Sequence, residues 1–240
     1  MSKALHALLW PALLCLSLSA CSALSSLAGD SFTLEGELPS DFSLRAQAHY
    51  NVANNCDGRS QAKSFETAFQ KNPQHYSFKI PVNYRDGFCE MQLARVALFI
   101  NGRYGEKDWQ QTYANGSLVI VDKLPEKAPS FSADGRLTKQ ATCTWWFQES
   151  KVYLEISKLL NCKGAGAHLV LAELPGKKIT LNFGVNPKEE PSYDRRWIET
   201  PTGWRLCQGT EKSDRCQTPP LFKTFKMNGR ECTVYPNCTE

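Results

Sequence analysis

The chain has 240 residues, 42% of them hydrophobic, with a formal net charge of +4 and ten cysteines. That length suffices for one large or two small domains with a proper core. The mild positive excess contains no run of five like charges, which argues against a nucleic acid partner or a polybasic membrane patch.

The first predicted element is a leader. Lys3 and His6 precede an apolar run from Ala7 to Leu18, which has the length of a secretory core and is too short for a permanent membrane helix. Small residues at Ser19 and Ala20 stand before Cys21, and Leu18-Ser19-Ala20-Cys21 resembles the lipobox of bacterial lipoproteins. The resemblance implies cleavage of residues 1–20, lipid on Cys21 and, with Ser rather than Asp at position 22, an outer-membrane location facing the periplasm. Two or three acyl chains, each buried methylene contributing about 0.8 kcal/mol, anchor a protein stably. The alternative is a secreted chain cut after Ala20 with Cys21 as a half-cystine. The leader holds one charged residue, Lys3, so its loss lowers the net charge from +4 to +3.

Cys15 departs with the leader and Cys21 takes lipid, leaving Cys56, Cys89, Cys143, Cys162, Cys207, Cys216, Cys232 and Cys238. An even number in an oxidising compartment predicts disulfides. Pairing of neighbours along the chain is the expectation, because Cys207 with Cys216 and Cys232 with Cys238 would close short loops. No Cys-x-x-Cys spacing and no pair of close histidines supports a metal site, and no cofactor is expected.

Residues 21–30 read as a lipidated tether. Alternation of apolar and polar residues then predicts strands at 32–38 and 44–52, the second placing His49 on its polar face. Ala62, Phe65, Ala68 and Phe69 fall at helical spacing before Asn72-Pro73, predicting a helix over 60–71. Strands follow at 76–82 and 91–100, the latter with a bulge near Ala94-Arg95 or burial on both faces. Asp86-Gly87 and Asn101-Gly102 read as tight turns, and 118–121 as a short strand.

The proline-bearing segment 124–136 is a linker or sheet crossover between a β lobe at 31–123 and a Cys-rich β lobe at 137–240. Whether these are two lobes or one sandwich is left open by the sequence. In the second half, residues 142–147 face Val152, Leu154 and Ile156 across a turn, a hairpin whose alternative is a helix over 151–161. Further strands are expected at 168–174, 178–185, 221–227 and 230–235, the last two joined by Asn228-Gly229. Many short strands with at most two short helices predict a mainly β fold, a disulfide-stapled antiparallel sandwich.

The chain has no Gly-x-Ser-x-Gly elbow, phosphate loop or His-Glu-x-x-His helix, and Gly164-Ala165-Gly166 lacks the third glycine of a dinucleotide fingerprint. With every cysteine after the leader assigned to lipid or a disulfide, no thiolate nucleophile remains, and the expectation is a protein that is not an enzyme. Binding is the better reading, since Trp, Tyr and Arg dominate interface hot spots. The candidates are Trp109, Tyr113, Trp145 and Trp146, together with the proline-bounded loop carrying Glu189, Glu190, Tyr193, Asp194, Arg195, Arg196 and Trp197. The carboxylates of this loop are suited to plug a cationic, phosphate-binding cleft. The alternatives are that it is merely solvated and that both adjacent tryptophans are buried.

The segments Leu93-Ala94-Arg95-Val96-Ala97-Leu98-Phe99-Ile100-Asn101-Gly102-Arg103-Tyr104-Gly105 and Cys143-Thr144-Trp145-Trp146-Phe147-Gln148-Glu149-Ser150 are similar to a group of periplasmic immunity lipoproteins paired with type VI secretion phospholipase effectors. That resemblance implies stoichiometric inhibition of a cognate effector toxin, with its active site covered. The rival expectation is a non-catalytic envelope assembly or glycan-binding outer-membrane lipoprotein, with Trp109, Tyr113, Trp145 and Trp146 as a stacking surface.

Overall fold

The computed structural model describes residues 30–53 and 56–239. The leader, Cys21 and all of the tether except Asp30 lie outside the described residues. The strands, in chain order, are β1 (Ser31–Leu38), β2 (Phe42–Val52), β3 (Gln61–Glu66), β4 (Gln74–Pro81), β5 (Asn83–Asp86), β6 (Cys89–Arg103), β7 (Gln111–Val121), β8 (Arg136–Glu149), β9 (Ile156–Lys163), β10 (Gly166–Val170), β11 (Lys178–Val185), β12 (Glu190–Pro191), β13 (Trp197–Thr200), β14 (Gly203–Leu206), β15 (Phe225–Met227) and β16 (Arg230–Cys232). Two three-residue 3-10 turns, Leu171–Glu173 and Asp194–Arg196, are the only helical elements among the described residues.

Two six-stranded sheets pack face to face. In the first, β9 borders β8, which pairs along its other edge first with β11 and then with β12, and β1 and β4 continue beyond β11. The second runs β10-β7-β6-β2-β3, with β5 sharing the β7 edge of the long strand β6. Both sheets are mixed: β1 with β11, β11 with β8, β12 with β8 and β10 with β7 run parallel. Period-two burial turns Phe32 and Leu34, Leu44 and Ala46, Val96 and Leu98, and Ile179 and Leu181 into one shared core.

That core draws on residues from both sides of 124–136, so a division into lobes 31–123 and 137–240 does not follow the packing. The segment is a crossover from β7 in one sheet to β8 in the other. A second, smaller core lies further along the same strands. It gathers Phe147 and Ile156 at the far ends of β8 and β9 with Trp197, Leu206, Phe225 and Tyr235. Here the hairpins β13–β14 and β15–β16 form a cap, stapled by Cys207–Cys216 and Cys232–Cys238. The other two disulfides, Cys56–Cys89 and Cys143–Cys162, complete the neighbour-to-neighbour set.

Several local expectations change. Residues 61–66 form strand β3 rather than a helix, pairing with β2 from Arg45↔Glu66 to Tyr50↔Gln61; as an edge strand it buries little and shows weak alternation. Asn101-Gly102 is no turn, for β6 runs through it to Arg103. A Cβ on Gly102 would stand 2.7 Å from Cη2 of Trp145, so the glycine makes room for that ring. The bulge is at Ala94, where the register jumps between His49↔Arg95 and Tyr50↔Leu93. The β8–β9 hairpin pairs Trp145 with Leu160 and Glu149 with Ile156, which leaves Val152 and Leu154 in the connecting turn rather than on a strand, and no helix forms over 151–161.

Candidate partner-binding surface

Direction along β8 sets the geography. Thr33 is in register with Lys178, and Lys178 with Arg136, so the chain reaches β1 from Asp30 at the pole where β8 begins. At about 3.3 Å per residue, the fourteen residues of β8 carry the opposite pole roughly 45 Å away. There Glu149 opens the turn 150–155.

This turn is built to hold apolar side chains in water. Ser150 organises it: its Oγ accepts from the amides of Val152 (3.3 Å) and Tyr153 (3.2 Å), and its carbonyl accepts from Leu154 N at 2.9 Å. The result leaves Val152 82%, Tyr153 47% and Leu154 70% exposed. Leu154 sits at φ 52°, a left-handed conformation that costs an L side chain about 1–2 kcal/mol. Tyr153 stacks on Trp109 with centroids 4.4 Å apart, and Tyr104 meets that tryptophan edge-on. Lys107 bonds Glu155 at 3.1 Å and ties the loop before β7 to the turn.

Beside the turn lies a cavity of about 460 Å³ lined by Lys151, Tyr193, Arg195, Arg196, Asp214 and Arg215. Arg196 is anchored from behind by Glu149 at 3.1 Å, a carboxylate that also takes Lys223 at 3.0 Å. Asp214 is 3.5 Å from Lys151 and 4.0 Å from Arg196. The amide of Cys216 donates to the carbonyl of Arg195 at 2.7 Å, and the disulfide from Cys216 to Cys207 pins the 213–215 loop in place.

The structure scatters the residues that the sequence grouped. Glu189 points inward, where it accepts the Tyr235 hydroxyl and pairs with Lys158 at 2.6 Å; burial first, then this carboxylate, hold the Tyr235 phenol well above its ordinary range. Glu190 is exposed on β12 beside Trp146. Trp197 is a core residue, 4% exposed, packed edge-on against Phe147 and Phe225. Asp194 lies in its 3-10 turn, while Tyr193 and Arg195 face solvent. Of the loop's described charged side chains, Glu190 and Arg195 are exposed, while Glu189 and Arg196 are held in ion pairs with Lys158 and Glu149.

Of the aromatic candidates, Trp145 is buried in the sandwich against Phe42 and Tyr104, and Trp146 is half-buried on the other face of β8. Tyr113 is 55% exposed on the outer face of the second sheet, next to Phe99 and near Arg45. These four rings thus belong to separate places, and only Trp109 reaches the distal pole. Sequence reasoning left out Val152, Tyr153, Leu154, Lys151 and Arg215 as site residues. The signal for the first three was a triplet of large apolar residues between Lys151 and Glu155, which alternation had assigned to a strand.

The chain matches no protein-family model, and neither the curated proteins nor the solved structures contain a significant match to it.

Proposed function

We propose that the protein is a lipoprotein anchored through Cys21 in the outer membrane, facing the periplasm, that serves as an immunity protein against a type VI secretion effector. The effector is a phospholipase, bound with its active site covered. The observation that carries the binding reading is the turn 150–155: three exposed apolar side chains, one in a costly backbone conformation, braced by the Trp109 stack. Strain kept at an exposed position and not needed by any core is a mark of a functional surface.

Location supports the same reading. The pole that carries the turn is the one remote from Asp30, so an anchored protein would present it outward from the membrane. A tether keeps the inhibitor at high effective concentration where a lipid-degrading enzyme has to work. A stable inhibitory complex would bury roughly 1,200–2,000 Å², an area that the turn, Trp109 and the adjoining basic cavity can seed. The test is co-expression of the chain with each effector phospholipase of the producing bacterium. Protection of cells and loss of vesicle hydrolysis at a one-to-one ratio are expected; absence of both for every effector refutes the reading.

A second reading rests on a different place. The outer face of the second sheet has a groove of about 430 Å³ where Ser43, Arg45, Asn101 and Gln111 surround Tyr113, a mixture of polar groups and an aromatic ring that suits a glycan of the envelope. An envelope defect on deletion in a strain that makes no effector would favour it.

A further inference from the structure

Among its described lining residues, the cavity beside the turn has more cations than carboxylates. Its lining carries Lys151, Arg195, Arg196 and Arg215 against one carboxylate, Asp214. Asp214 is engaged by Lys151 and Arg196, and Arg196 also pairs with Glu149. Among the described side chains, no carboxylate lies within ion-pair distance of Arg195 or Arg215, both of which are exposed. Guanidinium groups present planar donor forks that fit a carboxylate in bidentate fashion. A disulfide and a backbone hydrogen bond fix the two loops that hold these arginines, so the gap between them is pre-organised rather than assembled on binding.

We infer that this cavity receives an acidic segment of the protein partner, its carboxylates shared by Arg195 and Arg215 while Val152 and Leu154 take neighbouring apolar side chains. The inference rests on the immunity reading for the identity of the partner, and on charge complementarity for the chemistry. The chain's own amino-terminal segment is not the occupant. In the anchored protein, the nine residues from Cys21 to Gly29 reach at most about 30 Å, less than the roughly 45 Å along β8 that separates Asp30 from the turn.

The cavity can be tested without knowing the partner. The chain from Ser22 to Glu240, labelled with nitrogen-15, is titrated with an acetylated tetraglutamate peptide, its tetraglutamine counterpart and inorganic phosphate. Saturable amide shifts confined to residues 151, 193–196 and 213–216 are expected with tetraglutamate alone. Replacement Arg195→Gln with Arg215→Gln should weaken that binding about tenfold or more, with an unchanged unfolding midpoint.

Shifts that do not saturate, that fall equally on the Arg45 face, or that persist in the double variant overturn the inference. Stronger binding of phosphate than of peptide also overturns it, making this a phosphate site instead. Capture of an effector by the wild type and equally by the double variant would remove this cavity from the interface while leaving the immunity reading intact. Capture of no effector, with the peptide still bound as described, would do the opposite.

Discussion

The ring of Tyr153 lies flat on that of Trp109, centroids 4.4 Å apart and planes within 12°, and this stack fixes a turn whose other large apolar side chains, Val152 and Leu154, stay exposed. Leu154 keeps a left-handed backbone at φ 52° beside it. Glycine adopts that conformation without the side-chain penalty. Leu154→Gly should therefore leave stability unchanged or raise it by up to about 1 kcal/mol, while weakening partner binding. Urea unfolding and a binding titration on one preparation check this, and a variant that loses stability yet binds normally would contradict it.

The join between sandwich and cap depends on Lys158. Its side chain is 20% exposed and its ammonium lies 2.6 Å from Glu189, and Glu189 also accepts the Tyr235 hydroxyl, while Tyr235 stacks on Phe147 at 4.0 Å. Lys158→Met leaves the carboxylate with a single donor and should cost about 1–3 kcal/mol. Tyr235→Phe keeps the ring stack and should cost less. Equal losses in chemical denaturation would show that the Tyr235 hydroxyl bond holds the cap as firmly as the ion pair does.

Packing at Gly102 offers a steric test. A methyl group there meets Trp145 Cη2 at 2.7 Å and Cζ2 at 2.9 Å, and the tryptophan is itself confined by Phe42 and Tyr104. Gly102→Ala should destabilise by about 1–3 kcal/mol, with a change in the Trp145 near-ultraviolet signal. A silent substitution would mean that the ring has room to move.

Burial, and after it the charge of Arg95, hold the imidazole of His49 below its ordinary value of 6.5, and its Nε2 is buried without a partner. The unfolded chain then binds a proton before the folded one. Stability from the neutral ring is full above about 6.5 and is lost as pH falls through the lower folded-state value. The urea midpoint should decline from pH about 7 to about 5, and His49→Gln should flatten part of that decline. Parallel profiles for the two proteins would place the pH sensitivity elsewhere.

The strands that face both a core and a partner strand were legible because period two survives in them: β11 has the bounds 178–185 that alternation predicts, and the Ala94 bulge follows from the switch of parity after Leu93. Asn228-Gly229 is likewise a true hairpin turn, with φ of 53° and 80°. The disulfide order was an expectation from loop length at Cys207/Cys216 and Cys232/Cys238, and it extended to the other two pairs. What failed has a common cause in contacts between residues distant along the chain. Gly102 reads as a turn until Trp145 is seen across the sandwich, Trp197 as a loop residue until Phe147 is seen beneath it, and Glu189 as solvated until Lys158 is placed beside it. Leu159, 38% exposed on the outer face of β9, broke the alternation and so obscured where the turn ended and the strand began.

The most direct test of the account is affinity capture by the chain from Ser22 to Glu240, using the producing bacterium grown with its secretion effectors expressed, alongside Leu154→Glu. One dominant phospholipase at a one-to-one ratio, silent on vesicles while bound and absent from the variant, is the predicted result. Recovery of envelope or secretion-machine components instead, or a phospholipase held equally by both proteins, would contradict it.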